Sequence, residues 1–163
     1  MQRIKPILFS LFLLMALVSM TACGGGGDDE PDLTPEEERL LALAGSSGTE
    51  WTATSITFEG GPANGFENFS LTLFGSDPNA TLTYNATDGD PLFASSGTWA
   101  FNGTNINQII LDENTGNVFS ISNFDAETTP ATMTLTVNFS ANGGVANGVT
   151  GTDGLYVFEL VAE

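Results

Sequence analysis

Over residues 132 to 139, polar and apolar side chains trade places at every position. Met133, Leu135, Val137 and Phe139 alternate with Thr132, Thr134, Thr136 and Asn138, a period of two that predicts a half-buried strand. Phe69, Leu71 and Leu73 repeat the pattern, as do Leu82 and Tyr84, and their outward partners are mostly Thr, Ser and Asn. From Trp51 onward such runs are separated by Gly, Asn, Asp and Pro clusters, the signature of many short antiparallel strands. Eight strands are predicted, at Trp51–Glu59, Glu67–Phe74, Ala80–Ala86, Gly97–Asn102, Asn105–Asp112, Asn117–Asn123, Ala131–Ser140 and Leu155–Ala162.

The links between these strands set the topology. Asn102-Gly103, between Phe101 and Thr104, is a hairpin signal, because both central positions of a type I′ turn need positive φ. The segment from Asp112 to Asn117 predicts a second tight hairpin, with Gly116 supplying a left-handed position. Short sequential links favour an up-and-down meander, which removes its exposed edges by closing into a barrel. The predicted fold class is therefore all-β, an eight-stranded antiparallel up-and-down barrel with a short N-terminal helix. A β-sandwich is the alternative, since the Gly-rich connections Asn85–Ser96 and Ala141–Gly154 leave room for a Greek-key return. The same two connections are expected to form the mobile rims.

Thr34, Pro35 and Glu37 have the form of an N-cap, a first-turn proline and a capping-box acid. Leu40, Leu41 and Leu43 give the predicted helix an apolar surface for docking, and Gly45 is a natural stop. Upstream, Arg3 and Lys5 precede the apolar run Ile7 to Met20, as a secretory signal requires. That run is shorter than the roughly 17 to 25 residues of a membrane-spanning helix. The sequence Met20-Thr21-Ala22-Cys23 resembles a lipobox, which implies cleavage before Cys23, lipidation of Cys23 and a membrane partner through that lipid anchor. The expected organisation is a signal peptide over 1–22, an acylated cysteine and Gly/acidic tether over 23–33, and the barrel domain over 34–163. Asp28, Asp29, Glu30 and Asp32 follow the cysteine closely and resemble the surface-export signal of Bacteroidetes lipoproteins, which implies an outer-membrane protein facing the medium. A merely solvated acidic tether is the alternative.

Charge narrows the partners. The chain has 20 acidic and 3 basic side chains, and Arg3 and Lys5 leave with the signal, so the mature protein sets 20 acids against Arg39 alone, a net charge of −19. Such a surface repels phosphates and makes a nucleic-acid partner implausible. The chain contains no His, and its mature part has no Lys and no free thiol, which removes the usual general base, Schiff-base amine and thiolate nucleophile. A paired-carboxylate hydrolysis would remain, with Glu59, Glu67, Asp88, Asp90, Asp112, Glu113, Asp125, Glu127, Asp153 and Glu159 as candidates. Most of these sit beside Gly, Asn or Pro in turns, where a solvated acid is the plainer reading. Asp88-Gly89-Asp90 and Asp112-Glu113-Asn114 lack the full spacing of a calcium loop. The expectation is a non-catalytic domain without cofactor or metal.

Several features together resemble the lipocalin-like lipoproteins of Bacteroidetes. They are the N-terminal leucine-rich turn, Trp51 near the start of the first strand, the central Ser96-Gly97-Thr98-Trp99-Ala100-Phe101 and the closing Tyr156-Val157-Phe158-Glu159-Leu160. The resemblance covers roughly residues 40 to 162 and implies a calycin-type barrel with an end-closing helix and a cup for a small apolar ligand. The candidates for lining that cup are Tyr84, Trp99, Phe101, Met133 and Leu135, positions that core packing would also claim. The chain departs from true lipocalins in the spacing Gly48-Thr49-Glu50-Trp51, one residue longer than Gly-x-Trp, and no arginine follows that could cover the tryptophan. The rival expectation is a structural or interaction module that shows its loops to a polysaccharide or a protein partner at the cell surface.

Overall fold

The strand that opens the sheet also closes it. In the computed structural model, which describes residues 32–90, 92–140 and 152–163, β1 (Thr49–Phe58) pairs antiparallel with β3 (Ser70–Phe74) on one side and with β9 (Gly154–Ala162) on the other. Between them run β4 (Leu82–Thr87), β5 (Ser96–Asn102), β6 (Asn105–Leu111), β7 (Val118–Asp125) and β8 (Thr132–Phe139), each paired antiparallel with its sequence neighbours. The result is a closed, eight-stranded up-and-down barrel of the lipocalin-like kind. The β1–β9 pairing leaves no place for the sandwich alternative, since a sandwich would keep two separate sheets. All eight predicted strands are present, with ends shifted by up to three residues. A short β2 (Gly61–Pro62), which pairs with the end of β1, was not anticipated.

β1 can serve two neighbours because its alternation changes phase. Trp51 and Ala53 pack on the interior, a register shift follows between Ala53 and Ser55, and Ile56 and Phe58 then take the inward positions. Such a bulge bends and twists a strand, which helps it turn the corner of a small barrel. The Thr54 hydroxyl, at the shift, donates to the Glu159 carbonyl at 3.1 Å. Beyond β1 the alternation is regular, and β8 buries Met133, Leu135, Val137 and Phe139 as its pattern demanded.

The helix α1 (Pro35–Ala44) begins as predicted. The Thr34 hydroxyl accepts from the Glu37 amide, while the Glu37 carboxylate accepts from the Thr34 amide at 2.7 Å. Leu40, Leu43 and Ala44 are fully buried, and the Trp51 indole donates to the Leu43 carbonyl at 2.8 Å. Arg39 stacks 3.8 Å above the Phe124 ring, which in turn packs on Trp51. Its Nε donates to the Ile106 carbonyl and its Nη2 to Asn107 Oδ1. The arginine absent after Trp51 thus has a counterpart before it, acting through Phe124. These contacts seat α1 over the barrel end that gathers the starts of β1 and β6 and the end of β7.

Two turns differ in detail from expectation. In the β5–β6 hairpin Asn102 pairs with Asn105, so the central residues are Gly103 and Thr104, with Gly103 at φ 60°. Positive φ at the first central position alone belongs to a type II′ turn. In the β6–β7 hairpin Asp112 and Glu113, at φ 52° and 58°, take the left-handed positions instead of Gly116, and the Asn114 amide donates to the Leu111 carbonyl at 2.9 Å. The expected signal peptide, Cys23, the expected tether as far as residue 31 and residues 141–151 of the second Gly-rich connection lie outside the described residues.

Candidate functional site

Antiparallel pairing gives the barrel two unlike ends. One carries α1; the other gathers the ends of β1, β4, β6 and β8 with the starts of β5, β7 and β9. At this second end the expected mobile rim between β4 and β5 instead folds inward. Leu92 and Phe93 are 6% and 3% exposed, and the amides of both donate to the Gly89 carbonyl at 2.9 Å. Apolar burial overrides the loop-like composition of Asn85–Ser96.

Phe93 completes an aromatic cluster in the adjacent half of the interior. Its ring lies 4.9 Å from Phe69, 5.1 Å from Phe119 and 5.5 Å from Phe158, centroid to centroid. Phe66, carried by the segment between β2 and β3, meets Phe158 edge-on at 5.7 Å and Phe69 at 6.3 Å. Separations and tilts of this kind are those that aromatic quadrupoles favour.

The five candidate lining residues occupy the same packed interior. Tyr84, Trp99, Phe101, Met133 and Leu135 all belong to one contiguous cluster, and Phe101, the most accessible of them, is 7% exposed. Trp99 meets Phe101 edge-on at 5.5 Å and donates from its indole to the Phe74 carbonyl at 3.2 Å. It also borders a surface depression of about 220 Å³ with Leu82, Ala100 and Ile110. The Tyr84 hydroxyl donates to Asp112 Oδ2 at 2.8 Å, and the other carboxylate oxygen of Asp112 accepts from the Thr98 amide at 2.9 Å. Burial first, and then this bond to a carboxylate, push the Tyr84 phenol well above its ordinary range. Gly97, paired with Tyr84 across the sheet, leaves room for both groups, since a Cβ there would stand 2.7 Å from Tyr84 Cε1 and from Asp112 Cγ.

A cleft of about 310 Å³ opens at the rim remote from α1, lined by Phe58, Pro62, Ala63, Asn64, Phe66, Thr152 and Tyr156. Its shape follows from local structure. Glu59 and Gly60, at φ 50° and 80°, form the turn that folds β2 back on β1, and the Ala63 amide donates to the Ile56 carbonyl at 3.1 Å. This hairpin carries Pro62, Ala63 and Asn64 past the end of β1, and Phe66 then drops its ring into the barrel. On the other wall, Tyr156 of β9 pairs with Phe58 in the sheet; their rings sit 4.7 Å apart, and the Tyr156 hydroxyl donates to the Thr152 carbonyl. Glu59 Oε1 accepts from the Leu155 amide at 2.6 Å, fixing that carboxylate beside the cleft. A smaller depression of about 150 Å³ shares Ala63 and Phe66 with the cleft and includes Glu67. Tyr156 enters the sequence reading only through the closing segment Tyr156-Val157-Phe158-Glu159-Leu160, and Phe58 and Phe66 are hidden among 12 phenylalanines. The signal that could have marked them is the turn-dense Glu59-Gly60-Gly61-Pro62 flanked by phenylalanines.

The carboxylates of the rim serve as hydrogen-bond acceptors. Asp88 accepts from the Asn68 side chain, Glu67 from the Gly65 amide and Asp112 from Tyr84 and Thr98. Among the described residues, no three His, Cys, Asp or Glu side chains converge as a metal site would require. Compared with protein families, curated proteins and solved structures, the chain finds no match.

Proposed function

We propose that this protein is a lipid-anchored lipoprotein of the bacterial outer membrane, attached through Cys23, whose barrel binds a small amphipathic molecule without transforming it. The observation that carries the binding reading is the aromatic-walled cleft at the rim remote from α1. Small-molecule sites are concave and furnished with a few orienting polar groups, and this cleft sets the partly exposed Phe58 and the largely buried Phe66 and Tyr156 beside Asn64 and Thr152. Because Tyr84, Trp99, Phe101, Met133 and Leu135 are all packed, with none more than 7% exposed, the partly exposed Phe58 at this cleft favours it as the contact surface over a deep cup among them. The anchor is supported by the leader ending in Met20-Thr21-Ala22-Cys23, and surface exposure by the acidic run behind it.

The binding reading is tested by titration with a neutral solvatochromic dye, because an anionic probe would be repelled by the acidic surface. Saturable fluorescence enhancement is expected, weakened several-fold in Phe58→Ala and unchanged in Ile110→Ala at the second depression. A linear, non-saturating response would defeat it. For the anchor, Cys23→Ser is expected to abolish palmitate labelling and to stop processing at residue 22. Protease treatment of intact cells then reads which side the barrel faces, with cleavage expected.

A further inference from the structure

Asn-Gly steps occur in the chain at Asn64, Asn102, Asn142 and Asn147, and the first two lie in opposite surroundings. Such a step is chemically labile because the glycine amide nitrogen reaches the carbonyl carbon of the preceding side chain, closing a five-membered ring, and glycine has no Cβ to obstruct the approach. Asn102 is held against this reaction, since it ends β5 in register with Asn105 and its Nδ2 donates to Gln108 Oε1 at 2.9 Å. Asn64 follows β2 outside any strand and is exposed. The Gly65 amide, which supplies the attacking nitrogen, donates to Glu67 Oε1 at 3.2 Å, within the reach of a general base. Space around Gly65 is open, since a Cβ there would meet nothing within 4 Å beyond its chain neighbours, so water has access to the ring once it forms. We infer that Asn64-Gly65 is a self-modifying site, at which the Glu67 carboxylate promotes conversion of the asparagine to an acid. The Gly65 nitrogen bonds to Asn64 Cγ as its proton passes to Glu67. That proton then goes to the departing amide nitrogen, and ammonia leaves behind a cyclic imide. Water opens the ring at either carbonyl, giving an aspartyl or an isoaspartyl residue at position 64, and Glu67 ends as it began. Asn64 lines the rim cleft with Phe58 and Phe66, so a neutral amide in that wall becomes a carboxylate as the protein ages.

The reaction needs no ligand and stands apart from the binding reading. The test incubates the folded protein at mildly alkaline pH and follows each asparagine by peptide mapping, through the mass gained when an amide becomes an acid. Asn64 is expected to convert at least about tenfold faster than Asn102, as a positioned base and a free side chain require. Glu67→Gln keeps an oxygen for the Gly65 amide but loses the base. It is expected to slow Asn64 at least about fivefold, a small part of what general-base catalysis supplies, and to leave Asn102 unaffected, with an unchanged melting temperature verifying the fold. In urea, where the surroundings of the two sites are lost, their rates should converge. Equal rates in the folded protein, a gap that persists in full in urea, or an Asn64 rate untouched by Glu67→Gln overturns the inference.

Discussion

Individual side chains in this barrel matter most where polarity meets the interior. Tyr84 and Asp112 form such a point, since the phenol joins a carboxylate that also caps the Thr98 amide and so ties β4, β5 and β6 together. Removing the hydroxyl leaves Asp112 with one partner fewer, and Tyr84→Phe is expected to cost about 1 to 2 kcal/mol in urea unfolding at neutral pH. The pH dependence has a definite sign. Folding raises the phenol above its ordinary value of 10.0, so the protonated form is favoured in the native state and its contribution is complete below that value. It fades as pH climbs through the higher, folded value, because the unfolded phenol ionises first. Wild-type stability should therefore drop above about pH 10 along a limb that is shallower in Tyr84→Phe. Parallel alkaline limbs in the two proteins would show that neither burial nor Asp112 holds the phenol protonated in the folded state.

Among the elements, α1 shows how local signals and tertiary contacts divide the work. Its start is written in Thr34, Pro35 and Glu37, and the capping box forms as those residues require. Thr34→Ala is expected to lose about 1 kcal/mol, within the range measured for N-caps. Glu37 adds a pH signature, because its bonds to the Thr34 amide and then to the hydroxyl hold its carboxyl below the usual range. Stability from this pair is present above the ordinary carboxylate value and fades as pH falls through the lower, folded one. The gap between wild type and Thr34→Ala in urea unfolding should accordingly narrow in acid. The seat of α1, in contrast, was not legible: nothing near Arg39 in sequence points to Phe124, Ile106 or Asn107, more than 65 residues away. The same division runs through the sheet. Strands with unbroken alternation, β8 above all, could be read to within a residue or two, and their short links gave the meander. The bulge in β1 was hidden because Ala53 and Ile56 belong to opposite phases of one run, and the inward fold of Phe93 because its neighbours have the composition of a loop. The rim cleft escaped for a related reason, since its three rings come from β1, from the segment after β2 and from β9, and only closure of the barrel brings them together.

For the whole molecule, the distribution of charge sets a condition on stability. Interior packing holds the barrel through neutral side chains, while the carboxylates crowd its surface with one described base to offset them. Compaction brings these like charges closer than they are in the unfolded chain, so their repulsion opposes folding. Raising NaCl from 0.01 to 0.3 M shortens the Debye length from about 30 Å to several Å, which removes most of that opposition without touching apolar burial. The melting temperature is expected to rise over this range by on the order of 5 °C, the equivalent of about 1 to 2 kcal/mol for a domain of this size. The Arg39–Phe124 contact does not reverse the trend, since it is one partly buried pair against a surface of carboxylates. Calorimetric scans at fixed pH would decide it. A flat profile would mean that the acids stand far enough apart in the folded barrel to cost nothing.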